Sequence, residues 1–315
     1  MFGLFLHNVR GGYKLSEKRD SRNPFNKENI LEKETKVMGK FATTFSLMGA
    51  SWEVLKKDKE MLVFPLISGI CCLLVFASFA IPLFASGNWQ PPAQGAPLNK
   101  SIIYYATLFL FYFCNYFVIV FFNAAIVACA KTRMEGGDPT VSEGLRASLA
   151  RLPLIAGWAL VSATVGLILR IIEDRSEWIG QIVAGLFGMA WSVTSFLVIP
   201  ILVVEKKAPI AALKESAFLL RKTWGQQLIG NFSFGLVFFA LGIPAFLVIV
   251  LATMSNSSTG LIIAIILAAV YLIVLALVQS TLQAIFQSAL YLYAREGKPP
   301  TGFETGLLQR AIMMK

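Results

Sequence analysis

The 315-residue chain holds one histidine and four cysteines, and only 15% of its residues are charged. His7 stands alone near the N terminus, so the bulk of the chain offers no histidine pair to share a proton or a zinc ion. Cys71, Cys72, Cys114 and Cys129 all fall inside apolar stretches. That placement argues against a secreted disulfide framework and for small buried packing groups. No phosphate-cradling loop of the Walker type occurs, and no cofactor is expected. Nor does any Asp, Glu, Lys or His occupy the middle of an apolar stretch, which weakens a proton-coupled pump built on buried carboxylates. A membrane-surface enzyme would have to draw on Glu53, Asp58, Glu60, Glu135 and Asp138, whose ordinary role is solvated surface. The chain is therefore read as non-enzymatic.

What the chain has in abundance is apolar length. Hydrophobic residues make up 56% of it, concentrated in stretches at about 61–84, 102–130, 153–172, 178–204, 227–253 and 261–294. A helix crossing a hydrocarbon core of about 30 Å needs roughly 20 apolar residues. Helices also satisfy their own backbone in lipid, so these runs predict helices and not strands. The expected fold is all-α, a polytopic membrane protein of six transmembrane helices arranged as three hairpins.

Charge sets the orientation. Of the 28 Lys and Arg residues, all but Lys100, Arg170 and Arg175 fall in segments that six spans place on one side. Basic residues are retained in the cytoplasm, so both termini are expected inside. The connections 85–100, 173–177 and 254–260 then lie outside. Trp89 and Trp178 mark the outer boundary, and Trp52 and Trp224 the inner one, where amphipathic rings prefer to sit. Arg170 near an outer end snorkels, with Glu173 and Asp174 as expected partners. The net charge of +10 implies attraction to anionic lipid at the cytoplasmic face. Nucleic acid is not an expected partner, because no basic soluble module with interleaved aromatics is present.

Residues 1–37 are polar, basic and without periodicity, and read as a disordered leader; 38–315 form the membrane domain. Met1–Leu6 is too short an apolar patch for a signal peptide. Purine-rich codons permitted at Glu32, Lys33 and Glu34 would resemble a ribosome-binding site, which allows translation to start at Met38.

An internal repeat organises the remainder. Serine and leucine four residues apart, at Ser51 and Leu55, Ser148 and Leu152, and Ser216 and Leu220, each precede an apolar stretch. The unit is amphipathic helix, span, span, in three parallel copies. Residues 301–312 resemble a fourth amphipathic helix, and 286–301 echo 122–133. On the third copy Ile210, Leu213, Ala217 and Leu220 recur at helical spacing, while Lys214, Glu215, Arg221 and Lys222 face elsewhere. Such helices lie in the membrane interface, either bracing the hairpins or forming a collar.

Within the spans, Gln279, Gln283 and Gln287 are spaced by four, with Ser280, Ser288 and Tyr291 nearby, and Asn115 and Asn123 punctuate the second span. These amides either hydrogen-bond across helices or line a polar cavity. Gly180, Ala184, Gly188 and Ser192 make a smooth face for close helix packing, which leaves room for a homo-oligomer. Pro65, Pro200 and Pro244 lie within spans, where they predict kinks.

The run from Ser51 and Trp52 through Asp58, Lys59 and Glu60 to Leu62, Phe64 and Pro65 resembles the opening of a prokaryotic six-span family that carries a domain-of-unknown-function label. The resemblance runs from about Met38 to the C terminus. The alternation of surface helix and hairpin is also similar to the membrane domain beside some glycerophosphodiester phosphodiesterases. Their catalytic barrel has no counterpart here, so no activity is carried over. The resemblance implies a prokaryotic cytoplasmic-membrane protein and supplies no substrate. Two functions fit: a scaffold that contacts lipids or proteins, and a channel or facilitator for a small or amphipathic solute.

Overall fold

The computed structural model describes residues 45–86, 97–175, 178–224, 234–254, 257–297 and 299–303. The leader 1–37, Met38, Trp89, the side chains of Asp174, Arg175, Trp178 and Trp224, and the segment after Phe303 lie outside the described residues. Every regular element among those described is helical: α1 (45–57), α2 (Val63–Ala85), α3 (Leu98–Met134), α4 (Val141–Leu149), α5 (Leu152–Arg175), α6 (Trp178–Thr194), α7 (Val198–Glu205), α8 (Pro209–Trp224), α9 (Phe234–Met254) and α10 (Ser258–Glu296).

Six helical segments are long and apolar enough to cross a membrane: Lys59–Ala85, Leu98–Met134, Leu152–Glu173, Gly180–Glu205, Val237–Met254 and Ser258–Glu296. They coincide with the six apolar stretches, and the protein is a multi-pass membrane protein. The 37-residue α3 would extend about 55 Å at 1.5 Å per residue, well beyond a hydrocarbon core. Its overhang carries Lys131 and Arg133, and that of α10 carries Arg295. Those polar ends are why composition alone set both helices shorter.

Consecutive spans pack on each other, α2 on α3, α5 on α6 and α9 on α10, and α3 also touches α4, α5, α7 and α10. The core forms around it, with Ala125, Ile126, Ile155, Ile201, Ile285 and Leu290 fully buried. Leu73, Phe84, Phe246, Leu251, Ile266 and Ile273 face outward. Apolar surface on that scale would drive aggregation in water and is the proper exterior in lipid.

The fourth span is two helices. Leu197 lies between α6 and α7, and the turn there tightens as Phe196 N–H donates to Val193 O at 3.2 Å. Pro200 has no N–H to return to the Phe196 carbonyl one turn back, so the ladder opens there and not at the proline itself. Pro65 behaves differently. It lies in the first turn of α2, directly after a single tighter 3-10 turn, Lys59–Leu62, so the irregularity sits upstream of the proline. Pro244, inside α9, leaves the Ala240 carbonyl one turn back without its helical donor; Tyr271 Oη donates to the next carbonyl, Leu241 O, at 2.7 Å.

The small-residue face seats α6 on α5 within one chain. Gly180 and Ala184 are buried, and a Cβ at Gly188 would meet Leu169 Cδ1 at 3.9 Å. Ser192 is exposed. Four residues advance about 400° around a helix, so Ser192 has rotated about 120° from Gly180, whereas Trp191 returns to within about 20°. Trp191 stacks on buried Trp158 of α5, ring centroids 5.4 Å apart.

Candidate functional site

Ser51 of α1, Ser148 of α4 and Ser216 of α8 are all fully buried. Ser51 Oγ donates to Leu47 O of its own helix at 3.0 Å. Ser148 Oγ donates to Phe121 O of α3 at 2.9 Å. Ser216 Oγ accepts from Leu197 N–H at 3.1 Å, filling the gap in the fourth span. The partner leucines diverge: Leu55 and Leu220 are buried, but Leu152 is 40% exposed. The chain turns at Ala150 and Arg151, so Leu152 begins α5 instead of ending α4.

Local chemistry places these helices. Thr140 and Glu143 form a reciprocal capping box at the start of α4, satisfying two donors that a helix start leaves free. Gly144 then lets α4 press onto α3, since a Cβ there would lie 2.7 Å from both Cys129 Sγ and Phe64 Cζ. A Cβ at Gly157 would approach Pro209 Cγ to 3.0 Å, so glycine permits α8 to start against α5. On α8 the buried residues are Ala212, Ser216, Leu219 and Leu220, while Ile210 is exposed and Leu213 and Ala217 are half-buried. Of the apolar row read from spacing, only Leu220 is on the buried face, while Leu213 and Ala217 lie at its edge.

Two ion-pair clusters lock the same end of the bundle. Ahead of α2, Asp58 receives both Nε and Nη2 of Arg133 from the end of α3, and the same guanidinium reaches Asp138. Asp58 is buried, which corrects its expectation as solvated surface. In the second cluster, Glu205 Oε1 accepts from Tyr291 Oη at 2.8 Å and from Arg295 Nε at 2.7 Å. Lys207 Nζ lies 2.8 Å from Glu205 and 3.2 Å from Glu215. Its hydrogen bond to Glu205 holds the Lys207 ammonium above the ordinary lysine range. Arg151 Nε donates to Val203 O at 3.3 Å, covering a carbonyl at the end of α7. Away from this end, Arg170 and Glu173 pair at 3.6 Å.

Gln279, Gln283 and Gln287 continue at the same interval to Tyr291 and Arg295 of the second cluster, a row that turns about 160° around α10 from end to end. The three glutamines and Asn123 are half-buried and make no hydrogen bond to another described residue. Asn115 Nδ2 donates within its own helix, to Phe111 O at 2.9 Å.

A groove of about 380 Å³ lies elsewhere, walled by Phe45, Met48, Gly49 and Trp52 of α1, Phe238 and Leu241 of α9, and Tyr271, Val274, Leu275, Val278 and Leu282 of α10. None of the five amides lines it. Its α1 wall follows the i, i+3, i+4, i+7 helical spacing, a signal present in the sequence but unread. The Asp58–Arg133 pair, 75 residues apart, had no comparable local signal.

Among the described residues no three His, Cys, Asp or Glu side chains converge as metal ligands. No curated protein matches the chain. The run from Ser51 to Pro65 lies ahead of the region that does find a counterpart. Residues 102–303, from the second span to the segment after the sixth, match a family of unknown function (DUF6159), and the chain belongs to that family.

Proposed function

We propose that this is a non-enzymatic scaffold of a prokaryotic cytoplasmic membrane, with both termini inside, that works by holding lipid and, through it, neighbouring proteins. The observation that supports it is the double face of the surface helices. Each buries its serine side, yet α1 leaves Phe45 and Trp52 exposed, α4 leaves Leu149, and α8 leaves Ile210 and Phe218. Large apolar groups on helices lying across the bundle end suit the headgroup and acyl boundary. Lys56, Lys131, Arg146, Arg151, Lys207 and Arg295 gather at that end, as basic residues do on the cytoplasmic side. Repetition of surface helix, span and span sets three such contacts around one bundle.

A second reading, a channel or facilitator, is favoured by the half-buried amides of Gln279, Gln283, Gln287 and Asn123, which have no partner among the described residues. Reconstitution separates the two. A scaffold leaves ions and small solutes trapped in proteoliposomes, and Gln283→Leu changes only thermal stability. Solute flux that Gln283→Leu abolishes would overturn the scaffold. A reporter fused after Lys315 should be active in the cytoplasm; activity only on the far face would overturn the orientation.

A further inference from the structure

We propose that the groove between α1, α9 and α10 binds one acyl chain of a glycerophospholipid in the leaflet beside Trp52, with Lys56 at its phosphate. The inference rests on the lipid-holding function above and adds to it a site and a ligand class.

Length and lining select this occupant. The α10 wall runs from Leu282 to Tyr271, about 16 Å at 1.5 Å per residue. That length is half of a hydrocarbon core of about 30 Å, hence one leaflet. The groove of about 380 Å³ is open along one side and its walls are almost wholly apolar, so a polymethylene chain lying in it meets no polar group left unpaired, as a peptide backbone would.

The chemistry of the two ends agrees. At mid-membrane the groove stops at Tyr271, whose hydroxyl is engaged by Leu241 O at 2.7 Å, so the end presents no free donor to the chain terminus. At the other end Trp52 is partly exposed, as suits a ring at the headgroup boundary. Lys56 follows one helical turn later, within about 20° of Phe45 around α1, and so lies on the groove side of that helix. Its only ion pair among the described residues is with exposed Glu53 at 2.6 Å. A solvent-exposed pair of that kind is weak, and a lipid phosphate can displace it.

Gly49 supplies the test. No atom lies within 4 Å of a Cβ built there, although the residue lines the groove, so a leucine at 49 fills the space without displacing protein. The full chain is purified from native membranes in mild detergent, and its retained lipid is counted by native mass spectrometry and extraction. The expected result is one glycerophospholipid per chain that survives delipidation. Gly49→Leu should lose at least about tenfold of it with an unchanged melting temperature. Gly185→Leu, also with open space at its Cβ but on α6, should keep it, and Lys56→Gln should weaken retention.

Equal retention in wild type and Gly49→Leu overturns the proposal. So does a photo-crosslinker at Met48 that captures a peptide of this chain or a second protein in place of lipid. Flux abolished by Gln283→Leu, with the lipid still held, overturns the scaffold while leaving the groove intact. Absence of retained lipid without flux overturns the groove alone.

Discussion

The hydroxyl oxygen of Ser216 lies 3.1 Å from the amide nitrogen of Leu197 and accepts its hydrogen bond. A side chain from the surface helix α8 thereby completes the backbone of a membrane span to which it does not belong. The break between α6 and α7 and the position of α8 are thus one structural event.

Ser216→Ala should be the most damaging of the three serine-to-alanine changes. It strands a buried backbone donor, at a cost of about 1–3 kcal/mol. Ser148→Ala removes a hydroxyl from a carbonyl inside a continuous helix and should cost less, about 1 kcal/mol. Ser51 bonds only within its own helix, and alanine there should be close to neutral apart from the small void. Thermal melts of the three variants in one detergent check the order. Equal losses would mean that burial of the residue, and not its bond, decides the effect.

Arg133→Ala should destabilise strongly, by about 3–5 kcal/mol at most, since it leaves the buried Asp58 carboxylate without its partner. Arg133→Lys should recover only part, because an ammonium cannot reproduce the two-pronged contact with Asp58. The double variant Arg133→Met with Asp58→Asn should melt above Arg133→Ala, having no uncompensated charge. Melting temperatures at low and high salt test this, with little salt effect expected for so shielded a pair.

Two glycines make opposite predictions. Gly144→Ala places a Cβ within 2.7 Å of Cys129 Sγ and Phe64 Cζ and 3.2 Å from the Ala125 carbonyl. Overpacking of this kind should cost about 1–3 kcal/mol and loosen α4. Gly185→Ala meets nothing within 4 Å and should stabilise α6 by up to about 1 kcal/mol. Protease sensitivity near residues 135–150 should rise in the first variant only.

Lys207 sets a pH dependence. Its ammonium is held above the ordinary lysine range by Glu205, so its contribution is complete below the unfolded-state value of about 10.4 and is lost as pH rises through the higher folded value. The melting difference between wild type and Lys207→Met should stay constant from about pH 7 to 9 and shrink above about 10.5. A difference that grew with pH would contradict the sign.

The spans were readable because apolar length is a local property that no tertiary contact overrides. What composition missed was set by phase or by distance along the chain. Ser192 was read as the fourth member of a small face, but a four-residue step drifts around a helix and Trp191 takes that place. Pro200 marked a disturbance correctly, although its effect falls on the carbonyl of Phe196 and the gap opens upstream. Leu152 shares a spacing with Leu55 and Leu220, yet a turn at Ala150 moves it to another helix. Of the candidate residues, the three serines are buried, which their spacing alone did not say. Of the amides, Asn115 bonds within its own helix, while the three glutamines and Asn123 remain without described partners and lie apart from the groove.

At the end of the described chain, Thr301 N–H donates to Met134 O at 3.3 Å, and a Cβ at Gly302 would sit 3.3 Å from Val54 of α1. α1 is therefore covered by residues that follow α10 in the chain. That corner stays open until translation has passed the sixth span. A chain cut short after Glu296 would insert all its spans and still leave Val54 uncovered, a defect that membrane targeting would not reveal.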